Sequence, residues 1–334
     1  GADTQVMVVG DDDQSIYGWR GAKVENIHQF EQDFPRVKLI RLEQNYRSTA
    51  TILKAANALI THNASRLGKE LWTTEEKGQK INLYAAFNEF DEARFVADRI
   101  DYLLLQGAKV SSIAILYRSN AQSRLLEEAL VKKNITYRIH GGVRYFERAE
   151  IKDALAYLRL MVTVHDDTAF ERVVNTPVRG VGEKTIDHLK ALAAQQKCSL
   201  WQAMEHALQD TDALSTRARH ALAQFQQVVV RLHGIDSEQS LDQQIEQALE
   251  LSGLFAHYLK MKTEEAQARV ENLKELVNAA KQFYYEGTKE EDASWLLSFL
   301  SHAVLEAGER QAGEEDPAVH LMTLHAAKGL EFPI

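Results

Sequence analysis

The chain has 334 residues, 45% of them hydrophobic and 26% charged, so it is long enough for two or more globular domains. Its single cysteine, Cys198, excludes an internal disulfide and a zinc site of several cysteines, and no apolar run reaches the length of about 18 residues that a membrane-spanning helix needs. The formal net charge of −9 argues against a general nucleic-acid coat, which needs clustered Lys and Arg, but it allows a local groove that stacks bases.

The first 140 residues alternate between strand-like and helix-like patterns. Four short apolar runs predict buried strands: Val6–Val9, Lys38–Leu42, Ile81–Phe87 and Ser112–Tyr117. Three segments predict helices: Thr49–His62 with Thr49 as its N-cap, Glu89–Gln106 and Gln122–Lys133. Strands and helices in this alternation are typical of an α/β sheet.

Beyond Gly141 the pattern becomes helical, with apolar residues at helical spacing, as in Ile151, Leu155, Leu158 and Met161. Between Gly141 and residue 313 the sequence shows no convincing strand, so we expect an all-helical domain of roughly 170 residues. The acidic, glycine-bearing segment Glu306–Pro317 predicts a linker, and Val319–Leu324 predicts a returning strand. The predicted fold class is therefore α/β with a large all-α insertion. Three tryptophans are predicted to be core residues: Trp72, Trp201 and Trp295.

The densest polar segment, residues 10–21 (GDDDQSIYGWRG), follows the first predicted strand, where α/β proteins place ligand contacts. Gln14 can bond a phosphate oxygen or a water, and the rings of Tyr17 and Trp19 offer flat faces to bases. The carboxylates of Asp11–Asp13 fit a solvated loop, a helix cap or a divalent-metal site.

Residues 42–49 (LEQNYRST) lie between a predicted strand and a predicted helix. Tyr46 can stack on an adenine and Arg47 can meet a phosphate, although a core tyrosine beside a surface arginine is the plain alternative. Residues 117–124 (YRSNAQSR) follow another strand, where polar side chains can line a groove. A helix cap explains Ser119 equally well.

Within the helical region, residues 175–185 (NTPVRGVGEKT) carry Gly180 and Gly182 at the start of a predicted helix. Such a turn can present backbone N–H groups to a phosphate, or it can be a plain turn between helices. It is not a Walker A loop, which needs glycine directly before Lys-Ser/Thr, because Glu183 precedes Lys184.

These segments together resemble motifs of the UvrD/Rep/PcrA superfamily 1 DNA helicases. Residues 10–21 are similar to motif III, residues 42–49 to motif IV and residues 323–333 (TLHAAKGLEFP) to motif V, and the resemblance runs essentially end to end. It implies part of a RecA-like motor with an all-helical insertion. The implied domains are residues 1–43, closing the first motor domain; 44–140, beginning the second; 141–313, the helical insertion; and 314–334, returning to the second motor domain.

The resemblance also implies roles for individual residues. At the nucleotide, Gln14 and Arg47 would be catalytic and would contact the terminal phosphate, Tyr46 would pack on the adenine, and Glu331 would accept a hydrogen bond from the ribose. The implied DNA contacts are Tyr17 and Trp19 stacking on bases, Arg118 and Asn120 facing a single strand, Gly180 and Gly182 at a duplex, and Thr323, His325 and Lys328 at the DNA backbone.

The activity implied is that of an ATP-dependent 3′–5′ DNA helicase of excision and mismatch repair and of replication, cytoplasmic and associated with the nucleoid. Its implied partners are single-stranded DNA, single-strand/duplex junctions and repair proteins. It would use ATP and Mg²⁺, with the phosphate loop and magnesium ligands outside these residues, so the 334-residue chain alone is predicted to lack ATPase activity. Two alternatives remain: a non-catalytic DNA-binding or regulatory module, and a metal-dependent phosphohydrolase built on Asp11–Asp13.

Overall fold

The computed structural model describes residues 6–16, 18, 23, 25–34, 37–63, 66, 68–210, 213–286, 293–308 and 316–334. The chain divides into two compact units, Gly1–Phe87 and Asn88–Ile334. Within the described residues, no helix combines the length and the apolar character needed to cross a membrane.

The described part of the first unit contains two α-helices, α1 (Glu25–Asp33) and α2 (Ala50–Ile60), and a short 3-10 turn at Asp12–Gln14. Helix α2 confirms the predicted helix, although Thr49 at its N-cap position makes no side-chain capping hydrogen bond. Among the described residues of this unit, Leu53 is the one buried apolar side chain. The described residues of the first unit therefore form almost no apolar core of their own.

Three strands predicted for this unit are wrong: Val6–Val9, Lys38–Leu42 and Ile81–Phe87. Their backbone is irregular and their apolar side chains are exposed, to the extent of 96% for Leu83. A parallel strand requires a hydrogen-bonded neighbour, and its side chains are normally buried on both faces. Among the described residues of the unit, β-type pairing is limited to one isolated bridge between Gln44 and Trp72. Apolar composition alone therefore did not make these runs into strands.

The described part of the second unit is mostly helical. Helices α3 (Glu89–Leu105) and α4 (Ser123–Lys132) confirm the two remaining predicted helices of the α/β region to within one residue at each end. The further helices are α5 (Ala149–Val162), α6 (Asp167–Val173), α7 (Glu183–Gln196), α8 (Leu200–Gln209), α9 (Thr216–His233), α10 (Leu241–Ser252), α11 (Leu254–Met261), α12 (Glu264–Glu286) and α13 (Trp295–Gly308).

A small parallel sheet contains three strands, β1 (Ala114–Tyr117), β2 (Tyr137–Ile139) and β3 (Val319–Thr323), in the order β1-β3-β2. The last strand in sequence thus lies in the centre, and α5–α13 fall between β2 and β3 along the chain. Outside β1, Ile334 donates its N–H to the Ser112 carbonyl (3.1 Å) and accepts from the Ala114 N–H (3.0 Å). A small parallel sheet with many helices is consistent with the predicted α/β class.

Strands β1 and β3 confirm predicted strands, whereas β2 was missed. The signal for β2 was present, because apolar Ile135, Tyr137 and Ile139 alternate with polar residues and all three side chains are buried. The strand itself is only three residues long, but the alternation extends over five residues, so this pattern could have identified β2 from the sequence.

The second unit has two apolar cores. One surrounds the sheet and includes Ile113, Leu130 and Leu321. The other is formed by helices and extends in sequence from Tyr145 to Ala303. Ile151 and Leu158 lie fully inside it, as the helical spacing predicted. The described residues between 140 and 308 contain no strand, also as predicted.

Two smaller predictions need correction. Helix α13 continues to Gly308, so the predicted linker Glu306–Pro317 does not begin at Glu306, and its residues 309–315 lie outside the described part of the chain. Trp201 and Trp295 pack with the helical core, but Trp72 is 48% exposed, in a unit whose described residues form little core.

Candidate nucleic-acid interface

The carboxyl ends of the three parallel strands meet at one edge of the sheet, which we call the carboxyl edge: residues 118–120, 140–142 and 323–328. Tyr117 pairs with Thr323 in the β1–β3 register, so the loop after β1 and the turn after β3 begin side by side. The Leu324 N–H donates to the Tyr117 carbonyl at 2.9 Å and fixes this arrangement. The structure thereby brings together five residues proposed for DNA contact from sequence: Arg118, Asn120, Thr323, His325 and Lys328.

The backbone of the loop after β1 is held by hydrogen bonds, and two of its side chains are exposed. The Gln122 Oε1 accepts the N–H groups of Arg118 (3.1 Å) and Ser119 (3.0 Å), and the Ser119 hydroxyl accepts the Ala121 N–H (3.4 Å). These bonds form a capping box, which confirms the helix-cap interpretation of Ser119. The side chains of Arg118 and Asn120 are exposed on either side of this serine.

The turn after β3 is held in a similar way. The Thr323 hydroxyl accepts the Ala326 N–H at 3.2 Å, and the Thr323 carbonyl accepts the Ala327 N–H at 3.1 Å. Gly329 follows with φ +85°, a left-handed conformation that glycine adopts without strain. Lys328 is exposed and His325 is partly exposed, so the turn carries a cationic side chain at the carboxyl edge.

Two histidines meet beside this edge, and the sequence analysis did not single them out. The His140 Nε2 and the His320 Nδ1 lie 2.6 Å apart, and the ring of Phe332 packs 4.9 Å from the His320 ring. Burial lowers the pKa of both imidazoles, helped by Arg138 for His140 and by His140 for His320. One nitrogen must donate and the other accept, so the contact is incompatible with protonation of both rings at once.

The glycine turn of the helical region differs from the prediction. The Asn175 Oδ1 accepts the N–H groups of Arg179 (2.9 Å), Gly180 (3.1 Å) and Val181 (3.2 Å), so these amides already have a partner and do not face a phosphate. Gly182 is the N-cap of α7 and no side chain caps that helix. The first turn of α7 is therefore the part of this segment that remains able to receive an anion.

In the first unit, Tyr46 and Arg47 lie in a tight turn directly before α2. The Asn45 Oδ1 accepts the N–H groups of Arg47 (2.9 Å) and Ser48 (2.8 Å), the side-chain-to-backbone pattern that lets asparagine turn the chain. The Asn45 N–H in turn donates to the Trp72 carbonyl at 2.7 Å. Tyr46 is 76% exposed and Arg47 is exposed, so both side chains project from a braced backbone.

The segment around Trp72, which braces the turn before α2, is itself held by Asn57. The Asn57 Nδ2 on α2 donates to the Leu71 carbonyl (2.8 Å), and the Asn57 Oδ1 accepts the Leu71 N–H (3.2 Å). A groove of about 800 Å³ lies between α2 on one side and Arg66 with residues 68–73 on the other, with Asn57 and Trp72 in its wall. Neither Tyr46 nor Arg47 lines this groove.

The aspartates Asp11–Asp13 are engaged by two cations. Arg66 donates to both carboxylate oxygens of Asp13, at 3.0 and 2.7 Å, and Lys69 forms ion pairs with all three aspartates. Burial opposes the charge on Lys69, but its hydrogen bond to Asp11 and the three carboxylates raise its pKa. The ligand oxygens of the three carboxylates lie within 4.8 Å of one another, a spacing that a divalent ion could bridge, and in this structure the Lys69 ammonium lies among them.

Gln14 ends the 3-10 turn, and its Nε2 donates to the Asp11 carboxylate. Glu331 is exposed in the segment after the β3 turn. Tyr17 and Trp19 lie outside the described residues.

Comparisons with known proteins identify relatives along nearly the whole chain. Residues 40–334 match the UvrD-like helicase C-terminal domain, and residues 1–35 match the UvrD/REP helicase N-terminal domain. The chain is 55% identical over 329 residues to DNA helicase II of Escherichia coli strain K12 and 55% identical to DNA helicase II of Salmonella typhimurium. It is 44% identical over 337 residues to the ATP-dependent DNA helicase PcrA of Bacillus subtilis.

Each of these alignments covers 98% of this chain but only 45% of the relative. The chain thus spans slightly less than half the length of the curated relatives it matches.

Proposed function

The chain belongs to the UvrD-like helicase family, and from this we propose that it is the part of an ATP-dependent DNA helicase that contacts DNA and one side of the nucleotide. The carboxyl edge carries the proposal, because the β1–β3 register brings two separate motif segments to one side of a parallel sheet. Ligands of open α/β sheets bind outside the carboxyl ends of the strands. The proposed partners are single-stranded DNA, its junctions with duplex, and repair proteins, in the cytoplasm.

At the carboxyl edge, we assign single-strand contacts to Arg118, Asn120, Thr323, His325 and Lys328. Replacing Lys328 with alanine should weaken binding to a labelled oligothymidylate by about 3- to 10-fold at low salt and should lower the slope of log K against log salt by about 0.7. The matched control is Lys281→Ala, which removes an exposed lysine from α12. Equal losses in both variants, measured by fluorescence anisotropy, would contradict a specific role for Lys328.

For duplex DNA, the proposed contact is the first turn of α7 beside Gly180 and Gly182. A side chain at Gly182 would meet nothing within 4 Å, whereas Gly180 has φ +94° and strains any other residue. Gly182→Leu should therefore fold and should reduce affinity for a single-strand/duplex junction several-fold by covering the amides of that turn. Affinity for single-stranded DNA should stay unchanged; a parallel loss of both affinities would indicate a folding defect instead.

At the nucleotide, the proposed contacts are Gln14, Tyr46, Arg47 and Glu331, with Gln14 and Arg47 in catalytic roles. Exposure of Tyr46 and Arg47 on a braced turn supports this. ATP turnover supplies the free energy for 3′–5′ movement. We assign no magnesium ligand to this chain, since the side chains of Arg66 and Lys69 already engage Asp11–Asp13.

The sequence contains no GxxxxGK[ST] loop, so phosphate release by the purified 334-residue chain should stay at background with DNA present. DNA-stimulated turnover would overturn that expectation. If instead DNA affinity proves independent of nucleotide in the whole protein, the non-catalytic binding module is the better description.

Base stacking is proposed for Tyr17 and Trp19. Aromatic stacking contributes roughly 1–3 kcal/mol per base, so Trp19→Ala in the whole enzyme should weaken single-strand binding by about 5- to 150-fold. A large fall in melting temperature with unchanged affinity would make Trp19 a core residue.

Residues 141–313 are proposed to form a separate inserted domain, and residues 44–140 with 314–334 one RecA-like motor domain. The continuous helical core between Tyr145 and Ala303, distinct from the core around the sheet, supports this division. The segment 141–313 expressed alone should be a helical monomer with a cooperative thermal transition; a strand-rich circular dichroism spectrum would contradict the proposal.

A further inference from the structure

The loop after β1 is tied to a helix far away in the sequence. The Ser119 hydroxyl donates to the Glu271 Oε2 at 2.5 Å, across 152 positions of the chain. Glu271 lies on α12, within the helical region, whereas Ser119 stands between Arg118 and Asn120 at the carboxyl edge. A hydrogen bond to a carboxylate is among the stronger ones in proteins, so this contact fixes the middle of the loop.

A second tie holds the same loop through the residue next to Glu271. Arg148 is 7% exposed, and its Nη1 donates to the Asn120 carbonyl (2.8 Å) and to the Asn272 Oδ1 (2.9 Å). Asn272 is 3% exposed and donates its Nδ2 to the Glu150 Oε1 at 2.6 Å. Buried polar groups with complete partners hold one geometry, so the far end of the loop is also fixed against α12.

A third contact keeps this face of α12 turned toward the loop. The Arg124 Nε on α4 donates to the Glu275 Oε1 at 2.6 Å, and both side chains are largely buried. Glu275 lies four residues after Glu271, so the two carboxylates occupy the same face of the helix. One face of α12 therefore contacts both the beginning of α4 and the loop before it.

We propose that Glu271 is a positioning residue for single-strand binding: through Ser119 it holds the Arg118–Asn120 loop in the conformation that meets DNA. This inference rests on the proposed DNA contact at the carboxyl edge. Glu271 itself touches no DNA, and its negative charge repels phosphate. Its favourable effect comes from ordering the loop before binding, which spares the complex that entropic cost.

The opposed signs of these two effects give a direct test. Simple electrostatics predicts that removing a carboxylate near the carboxyl edge tightens DNA binding, whereas positioning predicts that it weakens binding. In the full 334-residue chain, Glu271→Ala should bind a labelled oligothymidylate about 3- to 10-fold more weakly. Glu271→Gln retains an oxygen that accepts from Ser119 without the charge, so it should bind as well as the wild type or more tightly.

A double variant separates positioning from general loss of structure. Ser119→Ala should weaken binding to a similar extent, and adding Glu271→Ala to it should cause no further loss, because the bond between the two residues is already gone. Glu264→Ala removes an exposed carboxylate from the first turn of the same helix and serves as the control for charge. Amide hydrogen exchange without DNA should speed up at residues 119–121 in Glu271→Ala and not in Glu271→Gln.

The outcomes are distinguishable. Wild-type affinity or tighter binding in Glu271→Ala, or losses that add in the double variant, would overturn the positioning role and leave the proposed DNA contact intact. Failure of the wild-type chain to bind any single strand would overturn the proposed contact and this inference together.

Discussion

The two units of the chain use the same kind of sequence in opposite ways. In the second unit, the apolar runs at β1 and β3 pair with each other and pack in an apolar core. In the first unit, runs of similar composition at Val6–Val9 and Ile81–Phe87 stay irregular and exposed. What distinguishes them is a neighbour to pair with, because a strand is defined by its hydrogen-bonded partner and not by its residues alone.

The two units also differ in what holds their described residues in place. The second unit has two extensive apolar cores. The described part of the first unit has one buried apolar side chain and depends on polar contacts such as Asn57 with Leu71 and Arg66 with Asp13. Such contacts are directional and each contributes little net stability. The first unit should therefore be the less stable of the two.

The largest expected effect comes from one truncation made in each unit. Leu158 is fully buried and Leu83 is 96% exposed. Leu158→Ala should lower the free energy of unfolding by about 2–5 kcal/mol, and Leu83→Ala should change it by less than about 0.5 kcal/mol. Urea unfolding followed by circular dichroism measures both. Comparable losses in the two variants would mean that Ile81–Phe87 is packed in solution, and the contrast between the units would fail.

A smaller effect is expected at the polar clamp of the first unit. Asn57→Ala removes two hydrogen bonds to Leu71, which should destabilise residues 68–73 locally by about 1–2 kcal/mol. Amide exchange at Leu71 and Trp72 should accelerate while exchange in α5 stays unchanged. Asn57→Asp keeps the acceptor and loses the donor, so its exchange rates should lie between those of the wild type and Asn57→Ala. Unchanged exchange in Asn57→Ala would show that something other than this clamp orders the segment.

These contrasts also explain which features could be predicted from sequence. Helices α2, α3 and α4 follow from local patterns of apolar residues, and the motif segments were found because their residues are contiguous. The contacts that hold the site join positions far apart, as with Ser119 and Glu271 or Asp13 and Arg66, and no local pattern records them.

The glycine turn illustrates the same limit at short range. Its position before a helix was predicted correctly, since α7 begins at Glu183. That Asn175 would take three of its amides depends on where one side chain folds back, which spacing does not reveal.

The smallest predicted effect is a pH dependence confined to the sheet of the second unit. His140 and His320 have pKa values lowered below the ordinary 6.5, so below about pH 6.5 the unfolded chain binds more protons than the folded one. The free energy of unfolding should therefore decline as the pH falls through and below that value. The melting temperature of His320→Gln should fall less than that of the wild type between about pH 7.5 and about pH 5.5.

Exposed His220 on α9 provides the control for this measurement, and His220→Gln should keep the wild-type pH dependence. If His320→Gln behaves like the wild type, the contact between the two imidazoles has no thermodynamic consequence.

The small sheet has one further consequence, for how copies of the chain behave at high concentration. On the outer side of β1 the backbone of Ile334 pairs with Ser112 and Ala114, and in the described part of the chain the opposite side of the sheet is β2, only three residues long. Edge-to-edge aggregation needs a long row of unpaired N–H and C=O groups as a template. The sheet exposes few such unpaired groups, so we expect self-association to begin at the exposed apolar runs of the first unit instead.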